Sequence, residues 1–496
     1  MAERLKIALL THSTNPRGGV VHVLELGRAL LARGHAVTLI APAAPGQRFF
    51  RETPCRVELA ELAPSCADLA ETVRQRIEAM RRHLGVLLQC ERFDVFHTHD
   101  GIGGNALADL GCSYLRTVHH VDKFADTRVQ AWEERSIRDA AQVLCVSALW
   151  CERLRAETGI VAAQVSNGVD LERFSSRPMP DDSRVVERLG IGGARPVVLT
   201  VGGIEARKNT RRQLQAFGLL RERLPRAQLV VAGGASLLDH GSEARAFLAD
   251  ATAAGLRVGA HEDIVITGPL PDSDMPALYR CADVLAMPSL LEGFGLAALE
   301  ALASGTPAVV SRMAPFTEHF AEGDVLWADP LSPASIADAL LSAVARGRHY
   351  DVPAVCSRFS WAASAERHET VYRANQVTRT LPPAQAERFP HSSFAISRTQ
   401  PMPAMHYQLR WPDASVQTCY SPSLVIKDFF APHTSYPLPD FMQRLREATQ
   451  IASDRVEAKF GFACSRAMDN LATVEQVAQR FADQPHACIE VLAFQE

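Results

Sequence analysis

Two carboxylates eight positions apart, Glu292 and Glu300, frame Gly293, Phe294, Gly295 and Leu296 in the stretch PSLLEGFGLAALEALASG over 288–305. The apolar run at 283–287 reads as a buried parallel strand. Residues 296–303 read as a helix, which Gly305 and Pro307 end before a strand opens at 307–311. A strand, a glycine loop and a helix start leave unpaired backbone N–H groups and a positive dipole end facing outward. Such a place suits an anion, above all a phosphate. A phosphate repels carboxylates, so Glu292 and Glu300 suit hydroxyl groups instead. A sugar and a ribose flanking a diphosphate would offer both.

The other chemistry-bearing residues also sit at strand ends. A strand at 6–11, a helix at 20–32 and a strand at 36–41 make a βαβ unit whose loop carries Gly18 and Gly19. That loop has no G-x-G-x-x-G, the second strand ends without an acid, and no G-K-[ST] follows. Dinucleotide binding and a Walker loop are therefore excluded. His97, His99 and Asp100 close a strand at 93–97, and His119 and His120 close one at 116–118. His-x-His could begin a metal site, but no further ligands form a recognisable pattern. A strand-end His of an α/β domain faces the ligand crevice, which singles out His119. A strand at 196–201 leads to Arg207 and Lys208, and one at 264–268 ends in Gly268 with Leu270 just beyond. Asp272-Ser273-Asp274 imitates a metal-binding D-x-D. Both acids precede a helix at 275–281, where capping explains them, and no metal is expected.

The Glu-x7-Glu pattern around Gly-Phe-Gly, with ADVLAMPS before it and EALASGTPAVV after it, resembles the signature of the retaining glycosyltransferases of family 4. The resemblance implies the GT-B fold: α/β, with two Rossmann-like, doubly wound domains facing a cleft. It also implies a nucleotide-sugar donor, with Glu292 on the sugar hydroxyls and Glu300 on the ribose. The amides of Gly293, Phe294, Gly295 and Leu296 would hold diphosphate and sugar, Gly18 and Gly19 would close over the phosphates, and the segment of Gly268 and Leu270 would touch the nucleobase. His119 would lie beside the transfer centre, while His97, His99 and Asp100 would line the acceptor side. The family reads G-R-x-x-x-x-K-G where this chain has residues 202–209. Lys208 matches, Gly203 replaces the Arg, and Arg207 is the nearest basic substitute. His119, Lys208 and Glu292 are thus the expected catalytic set, working without cofactor or metal because helix dipole and cations neutralise the leaving diphosphate. The transition state is expected to be oxocarbenium-like, with front-face attack and retention. Two rivals are a GT-B enzyme of other chemistry, such as an epimerase or phosphorylase, and a non-catalytic nucleotide-sugar sensor.

With 496 residues, the chain calls for two to four domains, and 47% hydrophobic with 22% charged residues marks it as globular. A formal charge of −4 gives no ground for nucleic-acid binding. The 11 cysteines, without a C-x-x-C pair, suit reduced thiols. The start, MAERLK, enters an apolar run too short for a signal peptide, and no stretch approaches the length of a membrane span. The expectation is a cytoplasmic enzyme with a small-molecule, glycan or lipid acceptor, which leaves peripheral membrane contact open. The expected order is an acceptor domain (1–170, with a returning helix at 359–376), a donor domain (171–358), a Pro-rich linker (379–401) and an α+β accessory domain (402–496). Asn167-Gly168 marks the turn between the first two. In the last, a hairpin about Pro412-Asp413, helices at 439–460 and 473–481 and a strand at 488–494 are expected. Its RWPD and KDFF segments resemble a family of small proteins named for a nitrogen starvation response.

Overall fold

The computed structural model describes residues 3–62, 68–121, 124, 126–193, 195–234, 241–375, 405–421, 424–460, 471, 474, 477–478, 481, 484 and 487–495. The expected linker and Thr473 lie outside them. The chain comprises two compact units, one over Met1–Leu381 and a smaller one over Pro382–Glu496.

In the larger unit, β1 (Lys6–Leu10), β2 (Ala36–Ala43), β3 (Arg56–Glu61), β4 (Val95–Thr98), β5 (Leu115–Val118), β6 (Gln142–Cys145) and β7 (Ala163–Gln164) form a parallel sheet in the order β3-β2-β1-β4-β5-β6-β7. A second sheet contains β8 (Val197–Val201), β9 (Gln228–Ala232), β10 (Ile264–Gly268), β11 (Val284–Met287), β12 (Ala308–Ser311) and β13 (Leu326–Ala328), ordered β10-β9-β8-β11-β12-β13. The central strands are buried along almost their whole length, as parallel strands covered by helices on both faces must be. Each sheet reverses its order once, between β1 and β4 and between β8 and β11. At such a switch point the loops leaving the strand ends part and leave a crevice. Gly18 and Gly19 follow β1, Arg207 and Lys208 follow β8, and Glu292 to Leu296 follow β11 at these switch points, whereas His119 follows β5, Gly268 and Leu270 lie at the end of β10, and His97 lies within β4.

The crossover is fixed by close backbone packing. Val169 bridges Ser360, and a Cβ on Gly168 would lie 2.4 Å from the Trp361 nitrogen, so only glycine fits. The expected Asn-Gly turn is thus the point where the chain crosses itself. From there the helix Trp361–Ala374, capped by Ser360 Oγ, returns to the first sheet. It is tied there by Arg33 to Glu369 at 2.7 Å and by Tyr372 to His97 at 2.7 Å.

The smaller unit holds an antiparallel sheet of β14 (Met405–Arg410), β15 (Val416–Ser421), β16 (Thr434–Pro437) and β17 (Cys488–Gln495), ordered β15-β14-β17-β16. Its core includes Leu409, Trp411, Phe441, Leu445, Leu471, Phe481 and Val491, with the Trp411 and Phe481 rings stacked at 5.7 Å. The hairpin forms as read, with Asp413 Oδ1 accepting from Ser415 N at 3.0 Å. The sequence reading missed β16, a short edge strand that ends in Pro437, where a missing donor costs least.

Candidate functional site

The two switch points meet around His119. A Cβ on Gly19 would stand 3.5 Å from its ring, and a Cβ on Gly293 would stand 2.3 Å from its carbonyl oxygen. Gly293 is therefore required by a backbone from the other domain passing against it. The next loop residue that matters, Gly295, adopts φ 101° and starts the helix Leu296–Ala303 with no side chain capping it. That start carries the positive dipole end of the helix without a side-chain cap, while Ala298 N bonds Gly295 O at 3.0 Å.

Glu292 is buried in this loop, and Trp150 Nε1 donates to its backbone oxygen at 3.0 Å. Its carboxylate forms an ion pair with Lys208 Nζ, lies 3.8 Å from Arg207, and accepts from Ser289 Oγ at 3.2 Å. Burial works to raise this carboxyl. The charges of Lys208 and Arg207 overcome it and hold Glu292 below the usual range. Lys208 belongs to the short turn Ala206–Lys208. Asn209 closes that turn at φ 62°, and its Nδ2 donates to Pro288 O at 2.9 Å and Pro330 O at 2.6 Å. Asn tolerates the left-handed region, and here it also fastens the Lys208 loop to the Glu292 loop. Gly203 sits at φ 77° with its Cβ position 2.9 Å from Gly234 O, so a side chain there needs the backbone to shift. Lys208 and Arg207 bring positive charge to this switch point, Arg207 also pairs with Glu205 at 2.8 Å, and the charge of Arg17 from the first domain's loop also acts on Glu205.

Glu300 lies one helix turn on and accepts from Tyr279 OH at 2.7 Å. Burial pushes it up to about 7, against the pull of the Tyr279 hydrogen bond, Arg173 and Arg51. Gly268 takes φ 66° and accepts from Gly233 N at 3.1 Å, and Leu270 packs on the core beside it.

The Phe294 ring is 3% exposed and packs on His319 at 4.1 Å and Phe359 at 5.3 Å, so its amide is the part left for the expected role. Other readings are corrected. His97 is fully buried, with Nδ1 bonded to Tyr372 OH and Nε2 to Thr117 Oγ1, both at 2.7 Å. It ties strands to the returning helix and does not line an acceptor pocket. His99 lies behind His119, Nδ1 to Nε2 at 3.3 Å. Asp100 caps the helix Gly101–Asp109 through Gly103 N at 2.8 Å and stands 3.7 Å from His12. Nor do the acids of the D-x-D cap their helix. Arg51 grips Asp272 at 2.7 and 2.9 Å, Arg173 grips it at 2.5 Å, and Arg188 holds Asp274 at 2.5 Å. Among the described residues no group of three or more His, Cys, Asp or Glu is placed to hold a metal.

Sequence reasoning missed the surroundings of His119. His22 packs on His99 and His119 at 4.9 Å each and on His368 at 5.4 Å, and bonds Asn167 at 2.6 Å. Burial lowers His22 to about 4 and His368 to about 3, and His97, His99 and His119 well below their ordinary value. A neutral imidazole cluster thus backs the cleft. Of the members the sequence reading passed over, His22 sits one turn after Gly19 on a helix that is apolar apart from His22, Glu25 and Arg28.

Three family descriptions match the chain: Glycosyltransferase Family 4 over residues 16–173, Glycosyl transferases group 1 over 181–353, and Nitrogen starvation-induced protein NitG over 406–494. A D-inositol 3-phosphate glycosyltransferase of Corynebacterium urealyticum is 30% identical over 335 residues, covering 61% of this chain and 76% of that one. Among solved structures, sucrose-phosphate synthase from Thermosynechococcus elongatus superposes with a TM-score of 0.60 at 22% identity, over 75% of this chain and 99% of that one. Anabaena HepE, in complex with UDP and glucose, gives 0.57 at 16% identity, over 75% and 100%. These likenesses are to GT-B glycosyltransferases.

Proposed function

This chain belongs to the glycosyltransferases of group 1 and family 4, and from that premise we propose that it moves a sugar from a nucleoside diphosphate donor to an acceptor, with retention and without a metal. The observation that carries the reading is the meeting, at one cleft, of the uncapped start of Leu296–Ala303, the Lys208–Glu292 pair and His119. The diphosphate lies against the helix start and displaces Lys208 partly from Glu292, which frees an ionised carboxylate for sugar hydroxyls. Lys208 and Arg207 then carry the charge that grows on the leaving phosphate, a contribution that is largest in the transition state. Neutral His119 offers a hydrogen bond to the sugar from the opposite wall. Glu300 takes the ribose. No protein nucleophile stands at the cleft in this reading, so the leaving phosphate receives the acceptor's proton on the same face.

UDP is the first donor nucleotide to test, since HepE is bound to UDP and glucose, and a phosphorylated polyol or sugar is the first acceptor class, from the names of the inositol phosphate and sucrose-phosphate relatives. All nine described cysteines are free thiols, which suits a reducing compartment. The test is a melting-temperature screen of UDP, ADP and GDP and their sugars, because a ligand at large excess over Kd raises stability measurably. Product analysis with the donor that binds follows. A glycoside of the donor's own anomeric configuration, formed equally with and without EDTA, is expected. Inversion, or activity restored to a chelated enzyme only by Mg²⁺ or Mn²⁺, would refute the finer reading, and an isomerised donor would mark an epimerase.

A further inference from the structure

A continuous chain of charges runs from the first domain's opening helix to the loop after β10. Arg28 bonds Glu25 at 3.1 Å and Asp170 at 2.6 Å. Arg51, from the segment after β2, pairs with Glu25 and grips both oxygens of Asp272, at 2.7 and 2.9 Å. Arg173, from the crossover, reaches the same carboxylate at 2.5 Å and also bonds the Asp272 backbone oxygen. Arg28 is 41% exposed, but the contacts around Asp272 are not loose surface pairs: the side chains of Glu25, Asp272, Arg173 and Arg51 are 6%, 13%, 17% and 20% exposed. A two-pronged guanidinium–carboxylate contact at such burial is geometrically strict, and losing one partner strands the other. The sequence had assigned Asp272 to helix capping, so this contact has no local purpose.

Next to it stands Glu300. The groups that face it are Tyr279, whose hydroxyl donates to it, the two guanidiniums of Arg51 and Arg173, and Asp272. We propose that Asp272 is an interdomain latch: gripped by Arg51 of the first domain and Arg173 of the crossover, it holds the ribose end of the cleft closed and makes Arg51 a positioning residue for Glu300. This rests on the reading of Glu300 as the ribose partner. A carboxylate receives two hydroxyls best when ionised. Burial opposes ionisation, Asp272 opposes it further, and the two guanidiniums favour it. With the latch made, Arg51 is held where its charge acts on Glu300. With it broken, Arg51 leaves with the first domain and Glu300 keeps its proton to higher pH.

Two measurements on the full chain test this. The first is hydrogen exchange of the nucleotide-free protein. Asp272→Asn raises exchange in segments 44–53, 165–175 and 268–275 together, while 94–121 is unchanged. A rise confined to 268–275 would make Asp272 a local structural residue and overturn the latch. The second is calorimetric Kd for UDP-glucose, whose diphosphate has no proton titrating in this window as the free terminal phosphate of UDP has, from pH 6 to 8.5. The wild type binds more tightly as pH rises through about 7, Arg51→Ala moves that break upward by roughly one unit, and Arg51→Lys restores much of it. An unmoved break in Arg51→Ala overturns the positioning role. In Glu300→Gln the break disappears. If it persists there, the ribose assignment has failed, and the exchange experiment still decides the latch.

Discussion

Acidification from pH 7.5 to 5.5 should cost the larger unit at least about 4–5 kcal/mol of stability, a prediction that follows from five of its buried imidazoles, with His119 adding in the same direction. His22, His97, His99, His319 and His368 are each 3–6% exposed or less. Burial, named first in each case, lowers His22 and His319 to about 4 and His368 to about 3, and His97 and His99 well below 6.5. The folded state therefore keeps them neutral, while the unfolded chain protonates them near 6.5. Because the unfolded state binds more protons below that pH, stability is full above the unfolded value and falls as pH drops through it. Between pH 7.5 and 5.5 each imidazole contributes a loss of about 1.3 kcal/mol, about 6–7 for the five. Glu300 works oppositely. Raised to about 7, it takes up a proton in the folded state first and returns about 2 kcal/mol over the same interval. The net loss is a large part of the ~5–15 kcal/mol that holds a folded domain. The assay is urea unfolding at several pH values followed by tryptophan fluorescence, since Trp132, Trp150, Trp327 and Trp361 lie in this unit. Replacing His368 with Asn should reduce the slope between pH 6 and 5 by about 1.2 kcal/mol per unit, a little under one proton's worth. A stability that changes by less than one imidazole's share across the interval would refute the reasoning.

Other outcomes test the site and the domain plan. Lys208→Ala should cost at least about 2 kcal/mol in kcat/KM, a factor of tens or more, with the fold intact by circular dichroism. A near-normal rate would remove Lys208 from the site. Glu300→Gln should raise donor KM before it lowers kcat, and the reverse pattern in steady-state kinetics would unseat the ribose assignment. Gly293→Ala should abolish turnover and destabilise the larger unit, because its Cβ would sit 2.3 Å from His119 O; retained activity would mean the two loops part easily. A chain ending at 381 should fold and keep donor binding, and 402–496 should unfold cooperatively alone, since the smaller unit has a hydrophobic cluster of its own residues. An unfolded tail would show that the two depend on each other.

Local rules carried the sequence reading as far as residues adjacent in the chain decide the outcome. The run at 283–287, the glycines after it and the helix at 296–303 are written in hydrophobic pattern and in glycine's conformational freedom, and the structure places β11 and Leu296–Ala303 there. The same holds for the βαβ opening, the hairpin about Asp413 and the helix that returns at Trp361. The edge strand β3, RVELAE, is partly exposed and escaped for want of a clear pattern, while the helix Leu69–Cys90, with Ile77, Met80 and Leu84 buried on one face, was legible and went unread. What only the tertiary structure decided is which side chains face one another. Lys208 and Glu292 are 84 residues apart, and their pairing depends on the two loops that Asn209 fastens together. His97 looked like a strand-end ligand, but a helix 275 residues later supplies the tyrosine that buries it. Asp272 looked like a cap until Arg51, 221 residues earlier, claimed it. A residue's type fixes what it can bond or ionise, but burial and long-range partners set which bond forms and which proton stays, and those arise only when distant segments pack.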